Sequence, residues 1–223
     1  MRVRVLRQES PTAEPYWESF DYDGPRDTSV AGMLDYLNYH DDIVNADGQP
    51  TRRIAWECSC LQGACGACAM VINGMPALAC DTFVRDLDCD EVVLAPLTKF
   101  PTIRDLATDR TSIQDNLKRG NVFIGEYQPK AGEDFARQYE AAKCLKCGLC
   151  LEICPNYTSG NSFFGAVFAN DCYLVHARNR QKARDIRKVY ARHFGNACSK
   201  SLTCMDVCPM GISTITSMAK LNR

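Results

Sequence analysis

Two cysteine-rich runs in the second half of the chain restrict its fold more than any other feature. Residues 144–155 read CLKCGLCLEICP, which is the C-x2-C-x2-C-x3-C-P pattern of bacterial ferredoxins. Residues 198–209 read CSKSLTCMDVCP and follow the same pattern, except that Ser201 stands where the second cysteine is expected. Two such runs in register predict that residues near 150 and near 200 fold together around inorganic clusters, so folding should depend on metal.

In ferredoxins with two such runs, the fourth cysteine of each run binds the cluster of the other. This rule predicts a complete set of four thiolates for a [4Fe–4S] cluster: Cys144, Cys147, Cys150 and Cys208. It predicts a second set of three: Cys154, Cys198 and Cys204. A serine hydroxyl is a poor iron ligand because its proton is held much more tightly than that of a thiol, so we expect a [3Fe–4S] cluster there. The alternative is a [4Fe–4S] cluster with a Ser201 alkoxide or a water at one corner.

The first half of the chain contains CLQGACGAC, the C-x4-C-x2-C loop of plant-type [2Fe–2S] proteins. The predicted ligands are Cys60, Cys65, Cys68 and Cys80. Gly63 and Gly66 are expected to let the backbone turn closely around the cluster, so that its N–H groups can donate to the sulfurs. Zinc or free thiols are the alternative, although zinc sites usually pair two C-x2-C elements.

Three further cysteines, Cys58, Cys89 and Cys172, lie outside these patterns, and we expect them to be small packing residues. Cys58 is also a possible alternative ligand, since it lies two residues before Cys60. The 223 residues contain 14 cysteines but no recognisable export signal, which favours metal ligation in a reducing compartment over disulfides. The longest apolar run, FFGAVFA at 163–169, is far shorter than the roughly 18 residues of a membrane helix. We therefore expect a soluble chain with no transmembrane segment that stays where it is made.

Hydrophobic periodicity predicts an α+β fold in two domains, residues 1–100 and 101–223. Strands are expected at 2–7, 17–23 and 91–97, with a hairpin turn at Asn73–Gly74 and a helix over 29–40 that Thr28 or Ser29 caps. Helices are expected at 103–108, 112–119, 133–143, 162–180 and 182–194. Charge also divides the chain: residues 1–100 hold 8 Lys/Arg and 16 Asp/Glu, whereas residues 101–223 hold 18 and 11.

Together these motifs resemble the iron–sulfur subunit of succinate dehydrogenase and fumarate reductase. The resemblance covers nearly the whole chain and includes FPTIRDLATDR at 100–110. It implies a β-grasp plant-type ferredoxin domain followed by a helical bacterial-ferredoxin-like domain. It also implies electron transfer, in either direction, between the FAD of a flavoprotein subunit and quinone at a membrane anchor that often carries haem, through [2Fe–2S], [4Fe–4S] and [3Fe–4S] clusters. No catalytic residues are expected on this chain, and its expected place is the cytoplasmic face of a prokaryotic plasma membrane, as a peripheral subunit.

Two departures from the family pattern bear on the quinone. In ubiquinone-type members a tryptophan stands five residues after the shared cysteine, where this chain has Ser159, and a histidine often occupies the position of Ser199. Both departures favour a menaquinone-type fumarate reductase or a relative with another acceptor over a ubiquinone-type member. The resemblance suggests the following residues at the quinone end: Pro155, Asn156, Tyr157 and Ser199.

Residues 176–194 carry seven Lys/Arg and one acid, Asp185. This stretch could face anionic lipid or the anchor subunit, or be a solvated helix face; nucleic acid is not expected, since no base-reading fold accompanies it. His40, His176 and His193 show no metal-ligand spacing and are expected to be structural. Three other functions stay open: a similar subunit of another flavoenzyme, a free multi-cluster ferredoxin, and a zinc-binding interaction module.

Overall fold

A computed structural model describes residues 1–39, 41–126, 128 and 134–222. His40 and Glu133, each at the end of a predicted helix, lie outside the described residues. The chain forms two compact units, Met1–Asp109 and Arg110–Arg223.

The first unit is built on a mixed five-stranded sheet with the strand order β2-β1-β5-β3-β4. Its strands are β1 (Arg2–Arg7), β2 (Tyr16–Asp21), β3 (Ala69–Ile72), β4 (Met75–Leu78) and β5 (Glu91–Ala95). Strand β1 pairs in parallel with β5, and the other pairs are antiparallel. Alternation along β1 buries Val3 and Val5 completely, as expected of a strand with one face in the core.

Helix α1 (Val30–Asn38) begins after Ser29, whose Oγ accepts a hydrogen bond from the Gly32 N–H at 3.2 Å. The predicted hairpin turn is confirmed, since Asn73 and Gly74 have φ values of +48° and +81° and a type I′ turn needs both to be positive. After β4 the chain enters a short 3₁₀ turn, Ala79–Asp81, which carries Cys80. The hairpin therefore returns this cysteine to the loop of residues 60–68.

The prediction of a helix at 103–108 is wrong. These residues belong to a two-stranded ribbon of β6 (Thr102–Arg104) and β7 (Ala107–Thr108). At its turn, Asp105 has a φ of +45° and a completely buried side chain. Its carboxylate accepts hydrogen bonds from the backbone N–H groups of Gln8 and Ala55 and from the Arg52 guanidinium. These distant partners outweigh the local helical pattern.

The second unit is helical. It contains α2 (Thr111–Arg119), α3 (Phe135–Ala142), α4 (Leu149–Glu152), α5 (Gly165–Arg178), α6 (Ala183–Tyr190), α7 (Thr203–Asp206) and α8 (Thr214–Leu221). Helix α5 is central and contacts α2, α3, α4, α6 and α8. The helices predicted at 112–119, 133–143 and 162–180 are confirmed, and the one predicted at 182–194 is α6 followed by a π-helical turn, Ala191–Gly195.

The α+β class is confirmed, with a sheet in the first unit and helices in the second. Among the described residues, none of the helices has the length and hydrophobicity needed to cross a membrane.

Candidate iron–sulfur cluster sites

Backbone N–H groups donate to the sulfurs of all four cysteines of the first predicted ligand set, and the loop of residues 60–68 supplies the donors to three of them. Cys60 Sγ accepts hydrogen bonds from the backbone N–H groups of Gln62 and Ala64 at 3.4 Å each. Cys65 Sγ accepts one from the Ala67 N–H at 3.4 Å. The Gly63 N–H donates to Cys80 Sγ at 3.2 Å, and the Cys80 N–H donates to Cys68 Sγ at 3.4 Å. The expected donation from the loop backbone to the sulfurs is confirmed.

This loop depends on left-handed backbone at Leu61, Gly63 and Gly66, with φ values of +55°, +68° and +79°. The glycines adopt this conformation without the Cβ strain that other residues incur. At Gly63 it turns the backbone N–H toward Cys80, which lies in a different element. The two predicted glycine roles thus correspond to observed geometry.

The electrostatics of the loop suit thiolates that bind a cation. Hydrogen bonds, the largest of them from the Gln62 N–H, lower the pKa of Cys60 to about 7. Burial raises the pKa of Cys68 to about 12, so this sulfur needs a bound metal to be a thiolate near neutral pH. The Cys68 and Cys80 sulfurs are 3.3 Å apart, and repulsion between two thiolates at that distance also calls for a shared cation.

The cysteines outside the motifs differ from one another. Cys172 is completely buried, as predicted for a packing residue. Cys58 is exposed, so the packing prediction is wrong for it. Cys89 is half-buried, and its Sγ accepts a hydrogen bond from Asn73 Nδ2 at 3.4 Å.

In the second unit, cysteines from the two runs line two neighbouring cavities. One is lined by Cys144, Cys147, Cys150, Cys204 and Cys208, with an apolar wall that includes Leu149, Val167 and Ile212. The other is lined by Cys154, Cys198 and Cys204, together with Ser201 and an apolar wall of Phe163, Phe194 and Met218. Each cavity therefore contains the complete cysteine set expected of it, including the one cysteine that comes from the opposite run.

The two runs also share their backbone geometry. Lys146 and Gly148 have φ values of +57° and +90°, and the equivalent Lys200 and Leu202 have +60° and +62°. A one-turn helix follows in each run, α4 in the first and α7 in the second. Ser201 is thus held in the turn position of Cys147, with its Oγ 3.2 Å from Thr203 Oγ1.

The thiols of Cys147, Cys150 and Cys204 resist ionisation in the protein alone. Burial raises the pKa of Cys147 and of Cys204 to about 11 each and raises that of Cys150 well above its usual value. Iron binding would supply the positive charge that stabilises these thiolates, which couples metal binding to folding. Within the described ranges, no three His, Cys, Asp or Glu side chains are arranged to hold a single metal ion. The donor set of buried thiols around a cavity fits a multi-iron cluster.

The residues suggested for the quinone end separate into two groups. Asn156 and Ser199 line the second cavity, and the Ser199 hydroxyl donates to Asn156 Oδ1 at 2.6 Å. Pro155 is exposed. Tyr157 is 1% exposed and lies in the core, so it does not share their surface.

The structure also identifies residues near the cavities that sequence patterns did not single out. Lys146 lines the first cavity and forms an ion pair with Asp171 of α5. His193 stacks on Phe164 with the ring centroids 4.1 Å apart, and its Nδ1 is 2.9 Å from the Ser162 carbonyl oxygen. That packing agrees with a structural role for His193. A lysine between two ligand cysteines was visible in the sequence, but its partner, 25 residues away, was not.

Comparisons with known proteins identify two iron–sulfur families along the chain. The family described as "2Fe-2S iron-sulfur cluster binding domain" matches residues 2–115, and the family described as "4Fe-4S dicluster domain" matches residues 140–212. The chain is 32% identical over 236 residues to the succinate dehydrogenase iron-sulfur subunit of Bacillus subtilis, covering 100% of this chain and 91% of that protein. It is 27% identical over 219 residues to the fumarate reductase iron-sulfur subunit of an Escherichia coli O6:H1 strain, covering 94% and 86%.

A solved structure shares the fold. The match lies in the apo form of the Mycobacterium smegmatis Sdh1 complex, with a TM-score of 0.75 and 23% identity over 99% of this chain and 94% of that chain. The alignments with these two sequence relatives cover 100% and 94% of this chain. The chain therefore belongs to the family of electron-transferring iron–sulfur subunits of succinate dehydrogenases and fumarate reductases.

Proposed function

We propose that this chain carries electrons through three clusters held by the predicted cysteine sets. A [2Fe–2S] cluster would be held by Cys60, Cys65, Cys68 and Cys80. A [4Fe–4S] cluster would be held by Cys144, Cys147, Cys150 and Cys208, and a [3Fe–4S] cluster by Cys154, Cys198 and Cys204. One-electron reduction and oxidation at each cluster is the chemistry that these groups supply when bound.

The observation that carries this proposal is the crossing of the two runs. Cys208 lies with three cysteines of the first run, and Cys154 lies with two of the second. This arrangement supports sets of four and three thiolates in adjoining cavities that share Cys204 as a lining residue, with the Ser201 hydroxyl beside the smaller set. The protein's contribution is to position the sulfurs, to donate backbone hydrogen bonds to them and to surround them with apolar side chains, all of which tune reduction potential.

We further propose that the two ferredoxin-like parts act as separate domains, divided near residue 100 on motif spacing. The compact units Met1–Asp109 and Arg110–Arg223 support such a division. In this scheme the first domain takes electrons from or gives them to the FAD of a flavoprotein subunit, and the second exchanges them with quinone at a membrane anchor that often carries haem. The names of the relatives, as subunits of succinate dehydrogenase and fumarate reductase, support these partners.

Menaquinone is the proposed acceptor, because Ser159 and Ser199 replace the aromatic and imidazole side chains typical of ubiquinone-type relatives. Asn156 and Ser199, which line the second cavity, are the best-placed residues for that end. A complex reconstituted with each quinone tests this assignment: turnover with menaquinone is expected to exceed turnover with ubiquinone, and the reverse order would contradict it.

A basic helix face supports a peripheral position at the cytoplasmic side of the plasma membrane. Helix α6 buries Ile186 and Tyr190 and exposes Arg184, Arg187 and Lys188. Such a surface attracts anionic headgroups by about 1 kcal/mol for each Lys or Arg near the membrane. Salt-sensitive binding of the purified subunit to phosphatidylglycerol vesicles, absent with phosphatidylcholine, is the expected result.

Iron and sulfide analysis combined with electron paramagnetic resonance tests the three-cluster proposal. The anaerobically purified protein should contain about nine irons per chain and show an oxidised-state [3Fe–4S] signal. About ten irons without that signal would mean that a [4Fe–4S] cluster occupies the second cavity with Ser201 or water at one corner. A colourless protein that contains zinc would support an interaction module instead. A stable iron-loaded monomer that never co-purifies with a flavoprotein would support a free ferredoxin.

A further inference from the structure

One ion pair lies directly against the proposed [4Fe–4S] site. Lys146 stands between Cys144 and Cys147 and lines their cavity. Its Nζ is 2.5 Å from one carboxylate oxygen of Asp171 and 2.6 Å from the other. The two side chains are 28% and 13% exposed, so water screens this pair less than it screens the surface pairs of the unit.

Both charges act on a proposed ligand sulfur. Burial raises the pKa of the Cys144 thiol; the charge of Lys146 opposes this effect, and the charge of Asp171 adds to it. The carboxylate therefore cancels part of the positive potential that the lysine produces at the site. Arg110 is a second cation nearby, and its guanidinium donates to the Cys147 carbonyl oxygen at 3.2 Å.

The second run provides an internal comparison. Lys200 occupies the position of Lys146 and shares its left-handed backbone. It is exposed, and its ammonium group has no ion-pair partner in the described parts of the chain. Among the described residues, the neutralising carboxylate of Asp171 on α5 pairs with the lysine of the first run.

We propose that Asp171 neutralises Lys146 and thereby keeps the reduction potential of the [4Fe–4S] cluster lower than it would be beside an unpaired lysine. This inference rests on the proposed function, since it requires a cluster at Cys144, Cys147, Cys150 and Cys208. Reduction adds one negative charge to a cluster, and an uncompensated cation nearby favours that added charge. Pairing removes this preference, so the electron is held less tightly and passes on more readily. Asp171 is a positioning residue in this sense, since it acts through Lys146.

Potentiometric titration of the assembled complex tests the inference, with dithionite as reductant and the reduced [4Fe–4S] resonance as readout. Asp171→Asn removes the carboxylate and is expected to raise the midpoint potential. The double variant Asp171→Asn with Lys146→Met has no charge at either position, and its potential is expected to return toward the wild-type value. Asp206→Asn is the matched control, because it removes an exposed carboxylate two residues before Cys208. The shift of the midpoint potential in Asp206→Asn should be much smaller, since water screens the charge of this exposed carboxylate.

A purely structural ion pair would behave differently. It would lower iron content in both the single and the double variant, without a rise in potential that the second substitution reverses. An unchanged or lower potential in Asp171→Asn, or an equal rise in the double variant, would overturn the inference while leaving the cluster assignment intact. Absence of the [4Fe–4S] resonance from the wild-type chain would instead overturn the proposed function itself. If Asp171→Asn alone does not assemble, Lys146→Met and the double variant decide the matter. The potential should fall in Lys146→Met and return toward the wild-type value in the double variant, and an equal fall in both rejects the inference.

Discussion

Ser201 occupies in the second cysteine run the turn position that Cys147 occupies in the first. Each follows a lysine with a φ near +60° and precedes a second left-handed residue, Gly148 in one run and Leu202 in the other. Ser201 also lines the cavity of Cys154, Cys198 and Cys204. The backbone is therefore arranged for a ligand at residue 201, and only the side-chain chemistry differs.

Replacing Ser201 with Cys should supply a fourth thiolate to the second cavity. We expect iron content to rise from about nine to about ten per chain and the oxidised-state [3Fe–4S] resonance to disappear. Ser199→Cys is the control, since it adds a thiol two residues away that is not in the Cys147 position. An iron content that does not change in Ser201→Cys would rule out the proposed register of the two runs.

The [2Fe–2S] assignment distinguishes Cys60 from its neighbour Cys58. Cys60 Sγ accepts hydrogen bonds from two backbone N–H groups of the loop. The side chain of Cys58, in contrast, is exposed to solvent. Cys60→Ala should remove about two irons per chain together with the visible absorption of the [2Fe–2S] cluster. Cys58→Ala should keep both. Loss of the cluster in Cys58→Ala would identify that residue as the ligand.

Gly165 at the start of α5 allows α4 and α5 to approach each other closely. Its φ is +74°, and a Cβ there would lie 2.1 Å from Leu151 Cδ2. Gly165→Ala should therefore cost about 2–4 kcal/mol of unfolding free energy through backbone strain and overpacking. It should also lower iron loading, because α4 begins two residues after the proposed ligand Cys147 and a shift of this helix would displace that sulfur.

Gly160→Ala separates the two contributions at Gly165. Gly160 has a φ of +84°, but a Cβ there would have no atom of the described residues within 4 Å, so only the backbone strain of about 1–2 kcal/mol applies. Thermal unfolding followed by circular dichroism should give the highest midpoint for wild type, a lower one for Gly160→Ala and the lowest for Gly165→Ala. Equal midpoints for the two variants would show that the contact with Leu151 carries no cost.

The buried carboxylate of Asp105 should be a major source of stability in the first unit. Its Oδ1 is 3.2 Å from Arg7 Nε, and both side chains are completely buried. Asp105→Asn preserves the left-handed turn, which Asn tolerates, but removes the charge, and should cost about 3 kcal/mol. Asp41→Asn breaks the pair of an exposed carboxylate with Arg53 and should cost less than about 1 kcal/mol. Fluorescence of Trp17 and Trp56, which both lie in this unit, can follow unfolding.

Acid should weaken the same unit through Asp105. Burial by itself raises the pKa of this carboxyl, but hydrogen bonds from Arg52, Ala55 and Gln8 outweigh it and leave the pKa below its usual value. The folded-state pKa is thus lower than the unfolded value of about 3.9, so the stabilisation is complete above that value and is lost as pH falls through the folded pKa. The stability difference between wild type and Asp105→Asn should be constant near pH 7 and shrink below about pH 4. A difference that is independent of pH would assign the effect to packing.

Long-range contacts explain what the sequence did not predict. The segment 103–108 has a helical pattern, yet it forms a ribbon because Asp105 binds groups at positions 8, 52 and 55. Tyr157 follows the proposed ligand Cys154 in the chain, but its side chain is buried rather than exposed at the proposed quinone end. Cys58 looked like other free cysteines that pack in cores, and its exposure depends on the path of the loop around it.

Sequence alone determined that this is an iron–sulfur protein and predicted the ligand sets of its clusters, because ligand type, ligand number and spacing are chemical properties of local motifs. The spacing of the cysteines, the glycines of the first loop and the serine at position 201 together predicted three distinct sites, and the fold class followed from hydrophobic periodicity. Only the tertiary structure decided which charges surround those sites. Asp171 reaches Lys146, and no described acid reaches Lys200, because helix packing brings a carboxylate to one run and leaves the other facing water.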